Sequence, residues 1–248
     1  MTQKPRKTTG PERPLKTLER VLSKAGLGSR TEARSWIGAG RVAVNGKVIQ
    51  SADKWVDLER DKVTLDGKPI RAQSKVYLLL YKPKGYLTTY KDPEGRATVY
   101  DLLTGIDQFV GPVGRLDQDT SGLLILSNDT QFAERLTNPD FKIPKTYLIK
   151  TSTIITDEQI QQLRDGVVLN DGPTKPAIVS RVADSESRST IEMTITEGRN
   201  RQVRRMIEAI GSKVRKLVRI AIGPIRIDKL EVGKYRALTP KEVELLRG

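Results

Sequence analysis

Two aspartates, Asp117 and Asp119, stand in the segment Arg115-Leu116-Asp117-Gln118-Asp119, directly before the apolar run 123–126. A buried strand that begins just after an acidic turn holds that turn still, so a carboxylate there is presented at a fixed position. A fixed carboxylate can take a proton, attack a carbon or hold a cation. In isolation the segment reads more simply as a turn in which Arg115 and Asp117 satisfy each other. Two other stretches carry residues of the same kind. In KTYLIK, residues 145–150, Tyr147 and Ile149 share one strand face, so Tyr147 is either core or a ring and hydroxyl offered to a pocket. In EGRNRQVRRMIEAIG, residues 197–211, an apolar helix face is defined by Val203, Met206, Ile207 and Ile210. Arg201, Arg204 and Arg205 fall mostly elsewhere, with Arg204 at the boundary, within reach of a carboxylate. Residues 196–229 hold ten basic side chains and three acids, a density that favours a phosphate-binding surface over an idle one.

Composition narrows the chemistry. The 248 residues include 44 Lys+Arg and 30 Asp+Glu, a net charge of +14, which suggests nucleic acid or an anionic membrane as partner. There is no Cys and no His. Disulfides, thiolate nucleophiles, imidazole bases and Cys/His metal sites are therefore excluded. Neither a transmembrane run nor the apolar core of a signal peptide is present, so a cytoplasmic protein is expected.

The elements that must position these residues follow from the pattern. Residues 1–16 carry five basic residues, one acid and three prolines, and are expected to be a disordered basic tail. Residues 17–71 read as a small domain. It has a helix with Leu18, Val21 and Leu22 inward, and a second helix opened by the Ser29/Glu32 capping box with Ala33, Trp36 and Ile37 inward. Two hairpins follow, turning at Asn45-Gly46 and Asp66-Gly67. Over residues 20–47, Arg20, Lys24, Arg30, Arg34, Arg41 and Lys47 face a single acid, Glu32. Arg20/Lys24 and Arg30/Arg34 are i,i+4 pairs of like charge, which favours a phosphate surface. After a polar joint, residues 76–248 alternate strand and helix signals. They include strands at 77–81, 123–126, 145–150 and 191–195, a turn at 82–85 and helices near 131–136, 156–166 and 203–210. The fold class expected is α+β, with a largely antiparallel sheet in the large domain. The glycine pairs Gly26/Gly28 and Gly38/Gly40 follow helices, so a dinucleotide or S-adenosylmethionine loop is not supported.

Residues 18–49, LERVLSKAGLGSRTEARSWIGAGRVAVNGKVI, resemble the S-four RNA-binding domain, which implies structured RNA as ligand. Residues 76–248 resemble a pseudouridine synthase of the ribosomal RNA group, most similar to its large-subunit branch. The motifs are YKPKGYLTTYKDPEGRATVYDLL, VGRLDQDTSGLLILSND, IPKTYLI and EGRNRQVRRMIEAIG, in the family's order. The resemblance implies that Asp117 is the essential carboxylate, that Tyr147 packs against the target base and that Arg204 pairs with Asp117. Asp119 is expected to hold the turn. Arg115, Arg201 and Arg205 join the basic residues of the small domain as expected RNA contacts.

The implied reaction is an isomerisation: the uracil of a uridine in ribosomal RNA is cut from its sugar, turned and rejoined through carbon 5. No cofactor or metal is expected. The base must leave its stack, at a cost lowest in a loop or bulge. Asp117 would attack carbon 1′ or take a proton from carbon 2′, and the residues leave both routes open. The expected partner is ribosomal RNA or an assembly intermediate, the protein acting as a monomer. Two rival readings are a ribosome-associated RNA-binding scaffold and a different RNA-modifying enzyme, such as a methyltransferase.

Overall fold

The computed structural model describes residues 15–28, 30–57, 60–70, 74–106 and 108–248. Most of the expected tail, Ser29 of the expected capping box and the side chain of Lys24 lie outside the described residues. Internal contacts divide the chain into Met1–Ser74 and Lys75–Gly248. Among the described residues no helix is long and apolar enough to cross a membrane.

In the first unit, the helices Leu18–Lys24 and Arg30–Gly38 pack on strands Lys47–Val48, Val42–Val44, Val63–Leu65 and Lys68–Pro69, in that spatial order. Both hairpin turns take positive φ at two successive residues, Asn45/Gly46 and Asp66/Gly67, as a tight two-residue loop requires. The core is Leu18, Val21, Leu22, Ala33, Ile37, Val42, Val44, Val56 and Val63, with Trp36 only partly buried at its edge. Lys16 departs from expectation. Grouped with the tail by charge, it instead forms the strand Lys16–Thr17, paired antiparallel with Trp55–Val56. A partner about forty residues away, invisible to local composition, decides the outcome.

The second unit is built on a sheet of nine strands among the described residues. Its main path runs Ile178–Asp184, Ser189–Ile195, Lys145–Thr151, Val214–Ile222, Ser121–Ser127, Tyr77–Lys82 and Tyr235–Ala237. Every pairing is antiparallel except that of Ser121–Ser127 with Val214–Ile222, so the sheet is mixed and largely antiparallel. The unbroken apolar run of Ser121–Ser127 is explained by cover on both faces. Leu123 and Ile125 join one core with Leu79, Phe132 and Val243, while Leu124 and Leu126 join another with Leu78 and Leu80. A third core gathers Ile149, Ile191, Met193, Ile195, Val203, Met206 and Ile207 under the helices Asp157–Asp165 and Gln202–Ala209. Each buried aliphatic contributes about 2 kcal/mol, so these faces fix the strands from whose ends the functional side chains project.

The parallel junction depends on Gly122. It has φ +115°, and a β-carbon there would meet the Arg219 backbone oxygen at 2.2 Å. Only glycine allows the two strands this approach. Asp129 caps the next helix, Thr130–Thr137, accepting from Gln131 N and Phe132 N. It is also paired with Lys75 at 2.8 Å and Arg247 at 3.0 Å. Burial resists its ionisation, but the hydrogen bonds from Lys75 and Tyr77 prevail and hold its carboxyl at about 2.

Candidate active site

The loop 115–120 enters the strand Ser121–Ser127 with each of its carbonyls occupied. Arg115 O accepts from Arg219 Nη1 at 3.4 Å, Leu116 O from Thr88 Oγ1 at 2.8 Å and Asp117 O from Lys82 Nζ at 3.0 Å. Gln118 O accepts from Gly85 N at 2.8 Å, Asp119 O from Arg204 Nη2 at 3.0 Å and Thr120 O from Lys82 Nζ at 2.8 Å. A loop bonded at successive residues cannot relax without losing several bonds at once, which is how a carboxylate is held ready before substrate arrives.

Lys82 is the donor that the sequence conceals. In the string Lys82-Pro83-Lys84-Gly85 it reads as part of a turn. It is in fact the last residue of strand Tyr77–Lys82, fully buried, and Nζ also donates to Pro83 O at 3.1 Å. Pro83, lacking an N–H, ends the strand and lets the ammonium fold back. Burial pushes the Lys82 ammonium down to about 8, against the favourable charges of Asp117 and Asp119. A lysine directly before proline at the end of an apolar run was the available signal.

The two acids of the loop separate cleanly. Asp117 lines a cavity of about 430 Å³ together with Arg115, Tyr147, Arg201, Lys145 and Arg219. Asp119 is not among its lining residues and is gripped by two arginines, Arg201 at 3.1 Å and Arg204 at 3.2 Å. Burial opposes ionisation of Asp119, but the Arg201 hydrogen bond and the charges of Arg204 and Arg201 outweigh it and hold the carboxyl below its usual range. Tyr147 is half-buried on strand Lys145–Thr151, packed against the core around Ile149 and facing the cavity with its exposed side.

Arg204 is placed differently from expectation. Expected on Asp117, it pairs with Asp119 instead, its side chain 11% exposed. Among the described residues, the cation in ion-pair range of the Asp117 carboxylate is Arg201, at 3.6 Å. Arg201 caps the helix Gln202–Ala209 in the left-handed region, φ 47° and ψ 30°. A non-glycine residue there costs on the order of 1 kcal/mol, which its two ion pairs offset. Helical periodicity could not reveal this, because Arg201 precedes the helix and its direction is set by a cap conformation that is rare for arginine.

The remaining expected RNA contacts divide by partner. Arg20, Arg30 and Lys47 are exposed. Arg34 hydrogen-bonds the buried carboxylate of Glu19, and Arg41 forms a fork on Asp66 at 2.6 and 2.9 Å. Glu19 lies one residue outside the window 20–47, and Asp66 is brought back by the sheet, so local counting missed both. Arg205 is forked by Asp171 at 2.8 and 3.0 Å. Arg115 is exposed at the cavity wall.

A family model described as RNA pseudouridylate synthase matches residues 76–209, and an S4 domain model matches residues 17–61. The chain is 42% identical over 230 residues to an RNA pseudouridine synthase of Aquifex aeolicus, covering 92% of each chain. It is 41% identical over 235 residues to the ribosomal large subunit pseudouridine synthase B of Bacillus subtilis, covering 94% of this chain and 96% of that one. A crystal structure of a pseudouridylate synthase superposes with a TM-score of 0.67 at 31% identity, over 93% of this chain and 99% of the other.

Proposed function

This chain belongs to the RNA pseudouridylate synthase family, and on that premise we propose that it converts a specific uridine of ribosomal RNA to pseudouridine with Asp117 as the reacting carboxylate. The observation that carries the assignment is the division of labour in the loop. Asp117 faces the cavity beside Tyr147, while Asp119 is consumed by Arg201 and Arg204.

The cavity is of a size suited to a single flipped nucleotide. Flipping costs a few kcal/mol, of which contact with the Tyr147 ring recovers a part. Asp117 then either bonds to carbon 1′ or removes the proton from carbon 2′. In each route the electrons of the bond between carbon 1′ and N1 leave with the uracil. The base turns and carbon 5 bonds to carbon 1′, as the Asp117–carbon 1′ bond breaks in the first route or Asp117 returns its proton to carbon 2′ in the second. The proton on carbon 5 passes to solvent, N1 takes one up, and the carboxylate is regenerated. Arg201 steadies the Asp117 carboxylate between steps, and Arg204 acts one residue removed, by securing Asp119. Ribosomal RNA of the large subunit is the substrate class borne by the named Bacillus subtilis relative. The small unit and the basic side chains Arg20, Lys24, Arg30 and Lys47 supply phosphate contacts that position the RNA without reading the uridine. The protein acts as a monomer, in the cytoplasm, on a loop or bulge of free or partly assembled ribosomal RNA.

The test is tritium release. Ribosomal RNA labelled at uracil carbon 5 loses its label to water with the wild-type protein and retains it with Asp117→Ala, which still binds the RNA. Wild-type protein that binds ribosomal RNA yet releases no tritium overturns the assignment.

A further inference from the structure

Of the cations that line the cavity without a role in the steps above, Arg219 and Lys145 stand on neighbouring strands of its wall. Arg219 is buried, 4% exposed, on the strand Val214–Ile222. Its Nε donates to Leu123 O at 2.8 Å and its Nη1 to Arg115 O at 3.4 Å, so the guanidinium is fixed. Its Nη2 is buried and has no hydrogen-bond partner. Lys145 stands on the neighbouring strand, Lys145–Thr151, which pairs with Val214–Ile222. Its Nζ donates to Ile143 O at 3.1 Å, a single bond for a group with three protons to give. Burial, and then the nearby charge of Arg219, push the Lys145 ammonium below the ordinary lysine range. Among the described residues neither cation has a carboxylate partner. Two like charges in one desolvated wall repel each other, and an unused buried N–H costs about 1–3 kcal/mol. An anion inside the cavity would relieve both.

The reaction generates such an anion. Before bond cleavage the negative charge is on Asp117, opposite Arg201. If Asp117 bonds to carbon 1′, its oxygen gives an electron pair to carbon and the pair of the bond to N1 departs with the base. If Asp117 takes the proton from carbon 2′, the former C–H pair becomes the double bond between carbons 1′ and 2′, and again the N1 pair departs. Either way the carboxylate becomes neutral, as ester or acid, and the uracil carries the charge, spread over N1 and its carbonyl oxygens. We propose that Arg219 and Lys145 hold the detached uracil as its anion, the two supplying positive charge beside its carbonyl oxygens. This rests on Asp117 being the reacting carboxylate. It makes the two residues an oxyanion-type site that is matched only after the glycosidic bond breaks, the condition under which such a site speeds the step rather than merely tightening binding.

The experiment compares uridine with 5-fluorouridine at the target position of the RNA, in single-turnover cleavage of the glycosidic bond. Fluorine stabilises the uracil anion intrinsically, so it substitutes in part for the protein's charge. Lys145→Met slows uridine cleavage roughly 100-fold, as expected for loss of one donor to a developing oxyanion, with RNA affinity unchanged. Relative to wild type, 5-fluorouridine recovers about tenfold of that loss. Arg219→Lys, which keeps the charge and loses the fork, shows a smaller loss with the same recovery. Because Arg219 also bonds two carbonyls, the Lys145→Met variant decides the matter if Arg219→Lys does not fold. Equal losses on both substrates overturn the proposal and leave a structural role. A loss confined to RNA affinity also overturns it and assigns the cations to a phosphate. Failure of the wild-type protein to convert uridine at all is a different outcome and tells against the reading of Asp117.

Discussion

The basic residues of the small unit and those around the loop 115–120 are the same residue types in opposite surroundings. Arg20, Arg30 and Lys47 sit in water. Lys82 and Arg219 are buried, and Arg204 nearly so. In water a charge is screened within about 10 Å at ordinary salt and one arginine is replaceable by its neighbour. In the interior each donor fixes a particular carbonyl, and there is no substitute. The first arrangement gives affinity that depends on salt; the second gives geometry. A protein with both can bind RNA broadly and react at one point only.

The sharpest separation is expected from Asp117→Asn. Turnover falls by about 10⁴-fold, the upper range for loss of a positioned acid–base group, while the dissociation constant for RNA measured by filter binding is unaltered. Next comes Lys82→Met. It strips the carbonyls of Pro83 and Thr120 of the Lys82 donor and leaves Asp117 O with the Thr120 N–H at 3.1 Å, each orphaned carbonyl worth about 1–3 kcal/mol, partly offset because no ammonium is buried. A net loss of roughly 3 kcal/mol in urea unfolding and about a 100-fold fall in kcat follow. A kcat that survives Lys82→Met would erase the distinction between the two regions.

Lys82 also sets a pH limit. Its folded value of about 8 lies below the ordinary 10.5. As pH rises through about 8 the ammonium loses a proton, one of three donors is lost and kcat declines. Stability moves the other way. Between about 8 and 10.5 the unfolded chain binds the proton and the folded one does not, so this group's contribution rises with pH. Parallel kcat and urea-unfolding profiles across that range would therefore diverge; profiles that fall together would remove Lys82 as the cause.

Asp119→Asn is milder. It keeps the turn's shape but gives up the charge that Arg201 and Arg204 share, and about a tenfold loss in kcat is expected. The smallest effect belongs to the small unit. Arg20→Ala with Arg30→Ala lowers the slope of log affinity against log salt by about 2 at most, the contribution of two phosphate contacts, with kcat unchanged. Arg34→Ala alters that slope less than Arg30→Ala, since Glu19 already neutralises Arg34. Equal slope changes for the two would mean that the Glu19 pair opens on RNA.

What the sequence made legible was local. Asn45-Gly46 and Asp66-Gly67 turned where their types demand, the strand at 191–195 and the helix near 156–166 formed, and the apolar face of the 203–210 helix is the buried one. The acidic turn before a buried run drew attention to the loop, but it was the resemblance of the flanking motifs that set Asp117 apart from Asp119. What escaped was every relation between distant residues. Lys82 lies 35 residues from Asp117, Arg204 lies 85 from Asp119, and Arg219 lies 104 from Arg115. Counting charges in a window pairs a residue with its neighbours in the chain. The sheet pairs it with others.

The junction at Gly122 bears on how the protein comes into being. The contact between Ser121–Ser127 and Val214–Ile222 joins residues about a hundred positions apart, and long-range parallel pairing of this kind forms slowly. During synthesis the small unit is complete long before Arg219 emerges. A nascent chain of some 200 residues therefore already carries its basic surface yet lacks the part of the cavity wall that Leu217, Arg219 and Ile222 supply. On the proposed function, RNA binding by the small unit then precedes reactivity, which waits for the pairing of Val214–Ile222 beside Gly122.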